Sequence, residues 1–149
     1  MALEQDIMTE MKAAMRAKDK TALEALRAVK SAILMAKTDG SGDELSEADE
    51  IALLQKQIKM RKDAAQQFKE QDRDEMAENE LKQAEVIQRF LPQQLSADEL
   101  KTEIVALIQE TGANDIKDMG KVIGLANKRL AGKADGKSIA DEVKKQLNI

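Results

Sequence analysis

The octapeptide AGKADGKS, residues 131–138, is the stretch that comes nearest to a chemical motif, because it combines glycines, lysines and a hydroxyl group. A nucleotide-binding P-loop has the pattern G-x-x-x-x-G-K-S/T and connects a strand to a helix. Here Gly132 and Gly136 are separated by three residues instead of four, and the preceding segment has helical periodicity. We therefore expect a turn between two helices and no nucleotide site.

The residues of this octapeptide also suit a turn that could meet an anion. We expect Gly132 to end the upstream helix, and Ser138 to cap the last helix with Asp141 in the capping-box position. Lys133 and Lys137 would then lie near the N-terminus of the last helix, where exposed amides and the helix dipole favour negative charge. The turn is therefore expected to accept a phosphate group.

The segment before the octapeptide contains glycines within a helical pattern. Its apolar residues recur at helical spacing and predict a buried face made of Met119, Val122, Ile123, Ala126 and Leu130. An adjacent face carries the small residues Gly120, Gly124, Asn127 and Ala131, with Lys117, Lys121 and Lys128 beside them. A mid-helix glycine costs about 1 kcal/mol relative to alanine. Two such glycines therefore indicate that another group approaches the helix backbone closely. The approaching group is either the preceding helix of this protein or the phosphate backbone of a nucleic acid, positioned by the lysines.

The residue types that the sequence lacks exclude several kinds of chemistry. It contains no cysteine and no histidine, so the thiolate nucleophile, the commonest general base and the zinc-finger ligands are missing. We expect no catalytic residue, no cofactor and no metal site. No apolar run approaches the roughly 20 residues that span a membrane, and the acidic, amphipathic start is unlike a signal peptide. We therefore expect a cytoplasmic protein without a membrane segment.

Composition and periodicity predict an all-α protein. Phe68 and Phe90 are the two aromatic residues, and no segment alternates with period two for long enough to predict a strand. The net charge of −4 hides segregation: residues 12–37 carry seven bases and two acids, residues 70–110 four bases and eleven acids, and residues 117–137 six bases and two acids. Solvated helix faces account for such blocks in general, but the last block lies among glycines and suggests a partner.

Amphipathic segments define the expected helices. The first helix has apolar residues at helical spacing, namely Leu3, Ile7, Met11 and Met15, with Met8 beside them. We expect these methionines to pack in a core rather than to form a binding surface. Further helices are predicted at about 20–37, 47–70, 74–90, 97–110, 116–131 and 138–147. Gly40 should end the second helix, in which Leu26, Val29, Ile33 and Leu34 should point inward. Ser46 should cap the third helix, with Asp49 three residues later.

Two domains are expected, with their boundary near residues 92–95. Pro92, the sole proline, disfavours helix at the residue before it, and Ser96 with Glu99 forms a capping box for a new helix. The sequence therefore predicts a helical N-terminal domain of long helices over residues 1–92. A small three-helix domain follows over residues 96–149.

The segment DMGKVIGLANKRLAGKADGKSIADEVKKQL resembles the C-terminal signature of the YqeY family, in which the same domain forms the tail of GatB, a subunit of the glutamine-dependent aminoacyl-tRNA amidotransferase. The resemblance continues upstream through FLPQQLSADEL, ETGANDIKDMGK and QKQIKMRKDAAQQF to the opening MKAAMRAKDK. It covers nearly the whole chain. It implies an all-helical protein with a longer N-terminal domain and a GatB/YqeY-type C-terminal domain.

The resemblance also implies contact with tRNA, because the tail domain of the amidotransferase contacts the tRNA body away from the active sites. The RNA-facing candidates carried over to this chain are Lys117, Lys121, Gly124, Lys128, Arg129, Lys133 and Lys137. The kinase-like cradle and metal site of the GatB subunit have no counterpart here. Any label of amidotransferase, or of carbon–nitrogen ligase with glutamine as amido-N-donor, would therefore rest on resemblance alone.

The sequence supports a non-catalytic tRNA-binding accessory protein as the first hypothesis. Residues 111–149 contain no aromatic side chain, so bases cannot stack there and recognition would be electrostatic and by shape, without DNA specificity. A helical adaptor that binds a protein through its N-terminal helices is the alternative. An enzyme that uses Asp, Glu or Lys alone is a third, weaker alternative.

Overall fold

A computed structural model describes residues 2–39 and 44–148. These residues form seven α-helices and one short 3-10 turn, with no strand among them. The helices are α1 Ala2–Ala17, α2 Lys20–Thr38, α3 Glu47–Glu70, α4 Asp74–Gln88, α5 Ala97–Thr111, α6 Met119–Arg129 and α7 Gly136–Gln146, and the 3-10 turn is Ile116–Asp118. The predicted all-α fold is confirmed. Gly40, the expected end of the second helix, lies outside the described residues.

The chain divides into two compact units, Met1–Leu91 and Pro92–Ile149. The first contains α1 to α4, and the second contains α5, the 3-10 turn, α6 and α7. Each unit has a hydrophobic core of its own. Among the described helices, none is long and apolar enough to cross a membrane.

The first unit is built from two helical hairpins with an aliphatic core. Lys18 and Asp72 adopt left-handed backbone angles at the two tight turns, with φ of 56° and 59°. Asp19 then caps α2, because its carboxylate accepts a hydrogen bond of 3.1 Å from the backbone N–H of Ala22. The core is made of Leu3, Ile7, Ala14, Ala22, Ala25, Leu26, Val29, Ile33, Leu54, Ile58, Ala84, Val86 and Ile87.

Polar side chains also connect α3 to α4 and α2 to α4. Arg61 Nε donates to Oε1 of Gln83 at 3.1 Å, and Arg61 Nη1 donates to Oε1 of Gln57 at 2.8 Å. Gln83 is buried, so the hydrogen bond from Arg61 Nε satisfies a polar group that would otherwise be costly to bury. Thr21 Oγ1 donates to Oδ1 of Asn79 at 3.0 Å. The Arg61–Gln83 and Thr21–Asn79 pairs fix α4 against α3 and α2, respectively.

Three apolar residues that were expected in the core of this unit are exposed. Met8, Met15 and Leu34 are 48%, 52% and 52% exposed, so the core assignment is wrong for them. Each follows a buried residue directly, since Ile7, Ala14 and Ile33 face the core. Successive helix residues are rotated by about 100°, and packing of α1 on α2 selects the stripe one residue earlier.

The second unit is a three-helix domain around an aliphatic core. Its buried residues are Leu100, Ile104, Leu107, Val122, Ala126, Leu130, Ile139, Val143 and Leu147. The predicted capping box at the start of α5 is confirmed: Ser96 Oγ accepts from Glu99 N at 3.1 Å, and Glu99 Oε1 accepts from Ser96 N at 3.0 Å. The latter bond lowers the pKa of Glu99. The equivalent box at α3, formed by Ser46 and Asp49, is also confirmed.

Overpacking at an alanine of the first core should destabilise the protein. Ala25 is fully buried, with 0% exposure, so Ala25→Leu is expected to lower the free energy of unfolding by about 1–3 kcal/mol. Ala13→Leu, on an exposed position of α1, is the matched control and should change it by less than about 0.5 kcal/mol. Chemical denaturation monitored by circular dichroism measures both. Equal stability of the two variants would contradict the close approach of helices at Ala25.

Candidate nucleic-acid interface

The glycine-containing helix begins later than its sequence pattern predicts. Ile116–Asp118 forms a 3-10 turn capped by Asp115, whose Oδ1 accepts from Lys117 N at 2.9 Å. The α-helix therefore starts at Met119 rather than at about residue 116. Gly120 consequently lies in the first turn of α6, and Gly124 is the glycine in its interior.

Neither glycine packs against another helix. Both are exposed, and a Cβ atom added to either one would meet no other atom within 4 Å. The alternative in which the preceding helix packs on Gly124 is therefore wrong, because α5 contacts α6 through the apolar face of Val122 and Ala126 instead. The small-residue face of α6 is open to solvent.

Lysines flank Gly124 on this open face. Lys121 and Lys128 stand three residues before and four residues after Gly124, so the three positions lie along one side of the helix. Both lysines and Lys117 are exposed, and none of them forms an ion pair with another described residue. Their charges are thus available to a ligand.

Arg129 differs from these lysines because its charge is already matched. Its Nη1 and Nη2 atoms donate to the two carboxylate oxygens of Glu110 on α5, at 2.6 and 2.7 Å. This bidentate pair lowers the pKa of Glu110 through the hydrogen bond and the charge of Arg129, and it raises the pKa of Arg129. The arginine connects α6 to α5, and it is the candidate least able to contact phosphate.

Hydrogen bonds to two backbone carbonyls hold the loop between α6 and α7. Gly132 has φ of 77°, a left-handed value that suits glycine. The prediction that Gly132 ends the helix is wrong, because α6 ends at Arg129 with Leu130 as its C-cap. Gln94 Nε2 donates to the Gly132 carbonyl at 2.5 Å, and Leu95 N donates to the Lys133 carbonyl at 2.9 Å. The segment that precedes α5 therefore anchors the loop, while the side chain of Lys133 stays exposed.

The N-terminus of α7 contains a carboxylate of the protein itself. Asp135 is the capping residue, and its Oδ1 accepts from Ser138 N at 2.6 Å. The prediction that Ser138 caps this helix with Asp141 is wrong, because the cap is Asp135, three residues earlier, and α7 begins at Gly136. An anion at this helix end is thus supplied by Asp135, which weakens the expectation that the turn accepts phosphate.

A mixed-charge cleft lies beside the same loop. It is lined by Gln94, Leu95, Ser96, Ala97, Leu100, Lys133, Ala134, Asp135, Ser138, Asp141, Glu142 and Lys145. A phosphate here would meet the carboxylates of Asp135, Asp141 and Glu142, which repel it. In the described part of the chain, no group of three acidic side chains is arranged to hold a metal ion.

The seven predicted candidates therefore fall into three groups. All seven are exposed. Lys117, Lys121, Gly124 and Lys128 belong to α6 and the turn before it, and we refer to the exposed side of these four residues as the glycine–lysine face. Lys133 and Lys137 flank the cap of α7, and Arg129 is bound to Glu110.

The contacts that Glu110 and Gln94 make with the Arg129 side chain and with the loop after α6 were not predicted from the sequence. Glu110 and Gln94 lie far from their partners in sequence, and no local pattern identifies them. The capping role of Asp135 did have a local signal, because aspartate is a preferred N-cap residue and stands three positions before Ser138.

Comparison with known proteins places the chain within a family. A family model described as Yqey-like protein matches residues 4–147, in agreement with the resemblance found in the sequence. A curated relative, "Altered inheritance of mitochondria protein 41, mitochondrial" from Clavispora lusitaniae (strain ATCC 42720), is 30% identical over 133 residues. The alignment covers 87% of this chain and 77% of the relative. The relative's name refers to mitochondria, and the cytoplasmic location expected for this chain stays a prediction.

Substitution at the two competing cap positions should separate their roles. Asp135→Ala is expected to lower the free energy of unfolding by about 1 kcal/mol, because the first turn of α7 loses its acceptor. Ser138→Ala should change it by less than about 0.5 kcal/mol. Urea denaturation of both variants checks this. A larger loss in Ser138→Ala would restore serine as the cap.

The pair of Arg129 and Glu110 should give a contribution to stability that depends on pH. Because the pKa of Glu110 is lowered in the folded state, this contribution is complete above the ordinary pKa of 4.5 and is lost as the pH falls through the lower folded value. In Arg129→Gln the pKa of Glu110 should rise toward its ordinary value. Carbon-detected NMR titration of the Glu110 carboxyl group measures the shift, and an unchanged pKa would contradict the pairing.

Proposed function

Because the chain belongs to the Yqey-like protein family, and because the glycine–lysine face is open and basic, we propose that it is a non-catalytic accessory protein that binds tRNA. The resemblance of its C-terminal domain to the tail of the GatB subunit supports tRNA as the RNA. The proposal assigns the contact to Lys117, Lys121, Gly124 and Lys128. Lys133 and Lys137 lie outside the glycine–lysine face, and Arg129 has a structural role.

The observation that carries the proposal is the open space around Gly124, in the interior of α6. A glycine in the interior of a helix costs about 1 kcal/mol relative to alanine. Packing does not explain it, since a Cβ atom would have open space. The remaining reason for a bare backbone between two unpaired lysines is the close approach of a ligand, and a phosphate backbone fits the charge.

The chemistry of this face favours recognition of backbone and shape. Lysine offers a point charge to phosphate oxygens, and no aromatic residue occurs in residues 111–149 to stack on a base. Contacts of this kind position a protein on a nucleic acid without reading its sequence. We therefore propose binding to a folded RNA surface, with no sequence-specific readout of DNA.

We propose no amidotransferase step for this chain. The chain has neither cysteine nor histidine, and the glycine–lysine face offers no nucleophile with an adjacent base. The relation to carbon–nitrogen ligases is proposed at the level of the shared tail domain, which would bring RNA to an enzyme rather than act on it.

Charge reversal on the glycine–lysine face should weaken tRNA binding and its dependence on salt. Each phosphate contact contributes roughly 0.7–0.9 to the slope of log K against log[salt]. The double variant Lys121→Glu/Lys128→Glu should therefore reduce the slope by about 1.4–1.8. Filter binding or fluorescence anisotropy with unfractionated tRNA at several salt concentrations measures it. Lys101→Glu/Lys144→Glu, which changes the same net charge at exposed lysines of α5 and α7, is the control.

Gly124→Ala should separate a ligand-contacting role from a structural one. With open space at this position, alanine is expected to raise the free energy of unfolding by about 0.4–1 kcal/mol. If a phosphate backbone approaches the helix here, the same change should weaken tRNA binding while the salt slope stays the same. A variant that is more stable and binds tRNA as well as the original chain would contradict the proposal.

A further inference from the structure

A groove between α1 and α2 in the first unit has no role in the proposed RNA contact. It is lined by Glu4, Ile7, Met8, Lys30, Ile33 and Leu34, and we call it the α1–α2 groove. Its floor is closed by Ile7 and Ile33, which are 1% and 2% exposed. Its walls are Met8 and Leu34, each about half exposed at 48% and 52%. Apolar side chains thus form both the base and the sides.

The apolar surface continues along α1 at helical spacing. Met15 stands seven residues after Met8, on the same side of the helix, and it is 52% exposed. Exposed apolar side chains that recur every two turns form a stripe rather than isolated positions. Such stripes mark surfaces for protein partners, and methionine adapts its shape to the side chain that it meets.

The charges beside the groove are positive. Lys30 lines it, and Lys12 and Arg27 stand one turn after Met8 and two turns before Leu34 respectively. These three bases are exposed, and none of them forms an ion pair with another described residue.

The acids of α1 do not cancel this positive charge. Glu4, at the end of the groove, shares its partner Lys37 with Glu44, so that end carries two acids and one base. Asp6 and Glu10 line a separate cleft with Arg89 of the segment after α4. The groove therefore combines an apolar centre with a border that is basic at Lys12, Arg27 and Lys30 and acidic at the end where Glu4 lies.

We propose that the α1–α2 groove binds an amphipathic helix of a partner protein whose apolar stripe is bordered by acidic residues. A third helix fits because two adjacent helices present a straight furrow of side chains, into which the ridge of another helix packs. The basic border favours acidic residues on that helix. An RNA backbone does not match the apolar walls, so this surface is distinct from the glycine–lysine face and adds a second partner.

A synthetic helix tests the proposal directly. The probe is an alanine-based peptide of about 16 residues, the length of α1, with leucines at i, i+4, i+7 and i+11 and glutamates beside them. A second peptide has lysines in place of the glutamates. Isothermal titration calorimetry with the full chain should show binding of the glutamate peptide at least about tenfold tighter than that of the lysine peptide.

Variants of the chain locate the binding surface. Met8→Gln and Leu34→Gln should each weaken binding of the glutamate peptide by about tenfold or more. Met35→Gln is the matched control, since Met35 is adjacent in sequence and 70% exposed but does not line the groove. All three side chains are exposed, so melting temperatures should stay close to that of the original chain. Lys30→Glu should reduce the preference for the glutamate peptide.

Several results would overturn the assignment. Absence of binding by both peptides at millimolar concentration would remove the groove as a helix site, as would equal weakening by Met35→Gln. A dimer seen by analytical ultracentrifugation and abolished by Leu34→Gln would give the groove to a second copy of this chain. Loss of tRNA binding in Leu34→Gln would give it to RNA. Failure of the tRNA contact at Lys121 and Lys128 would leave the peptide result unaffected, so the two proposals are tested separately.

Discussion

The fold depends on close packing of helices whose cores contain almost no aromatic side chains. Only Phe68 and Phe90 are aromatic, so the first core is filled by aliphatic residues and by alanines such as Ala22, Ala25 and Ala84. Alanine allows neighbouring helices to approach closely, and the dense contacts that result compensate for the small area that each residue buries. The same packing selects one narrow stripe of each helix. Residues beside that stripe remain outside, which is why the first unit has exposed methionines over a well-buried core.

The second unit shows how a protein can use its own groups at positions that could otherwise bind a ligand. Asp135 occupies the N-terminus of α7, and Glu110 matches the charge of Arg129. Both contacts stabilise the three-helix domain, and both reduce the attraction of nearby phosphate. The open side of α6 lacks such internal partners. The contrast between satisfied and unsatisfied groups therefore distinguishes the glycine–lysine face from the loop, although both contain glycines and lysines.

Local signals predicted most of the fold, and tertiary competition explains the remainder. The capping boxes at Ser46 and Ser96 were predicted because their donors and acceptors lie within four residues. The exposure of Leu34 could not be predicted, since Ile33 and Leu34 are equally apolar and only the position of α1 decides between them. The open space at Gly124 was left undecided by the sequence, because a glycine indicates close approach without identifying what approaches. Arg129 is among the RNA-facing candidates that the resemblance implies, and its pairing with Glu110 could not be predicted locally because the two residues are 19 positions apart in sequence.

The hydrogen bonds from Gln94 and Leu95 to the loop of the second unit have a consequence for how that unit can be separated from the rest of the chain. A fragment that begins at Ser96 would contain all three helices but would lack the two donors that hold residues 132–133. The smallest piece expected to keep the native loop starts at Pro92, because the Pro92 carbonyl also accepts a hydrogen bond of 2.9 Å from Gln94 Nε2. In this chain, the few residues before α5 therefore belong to the second unit itself and are not a spacer that can be shortened freely.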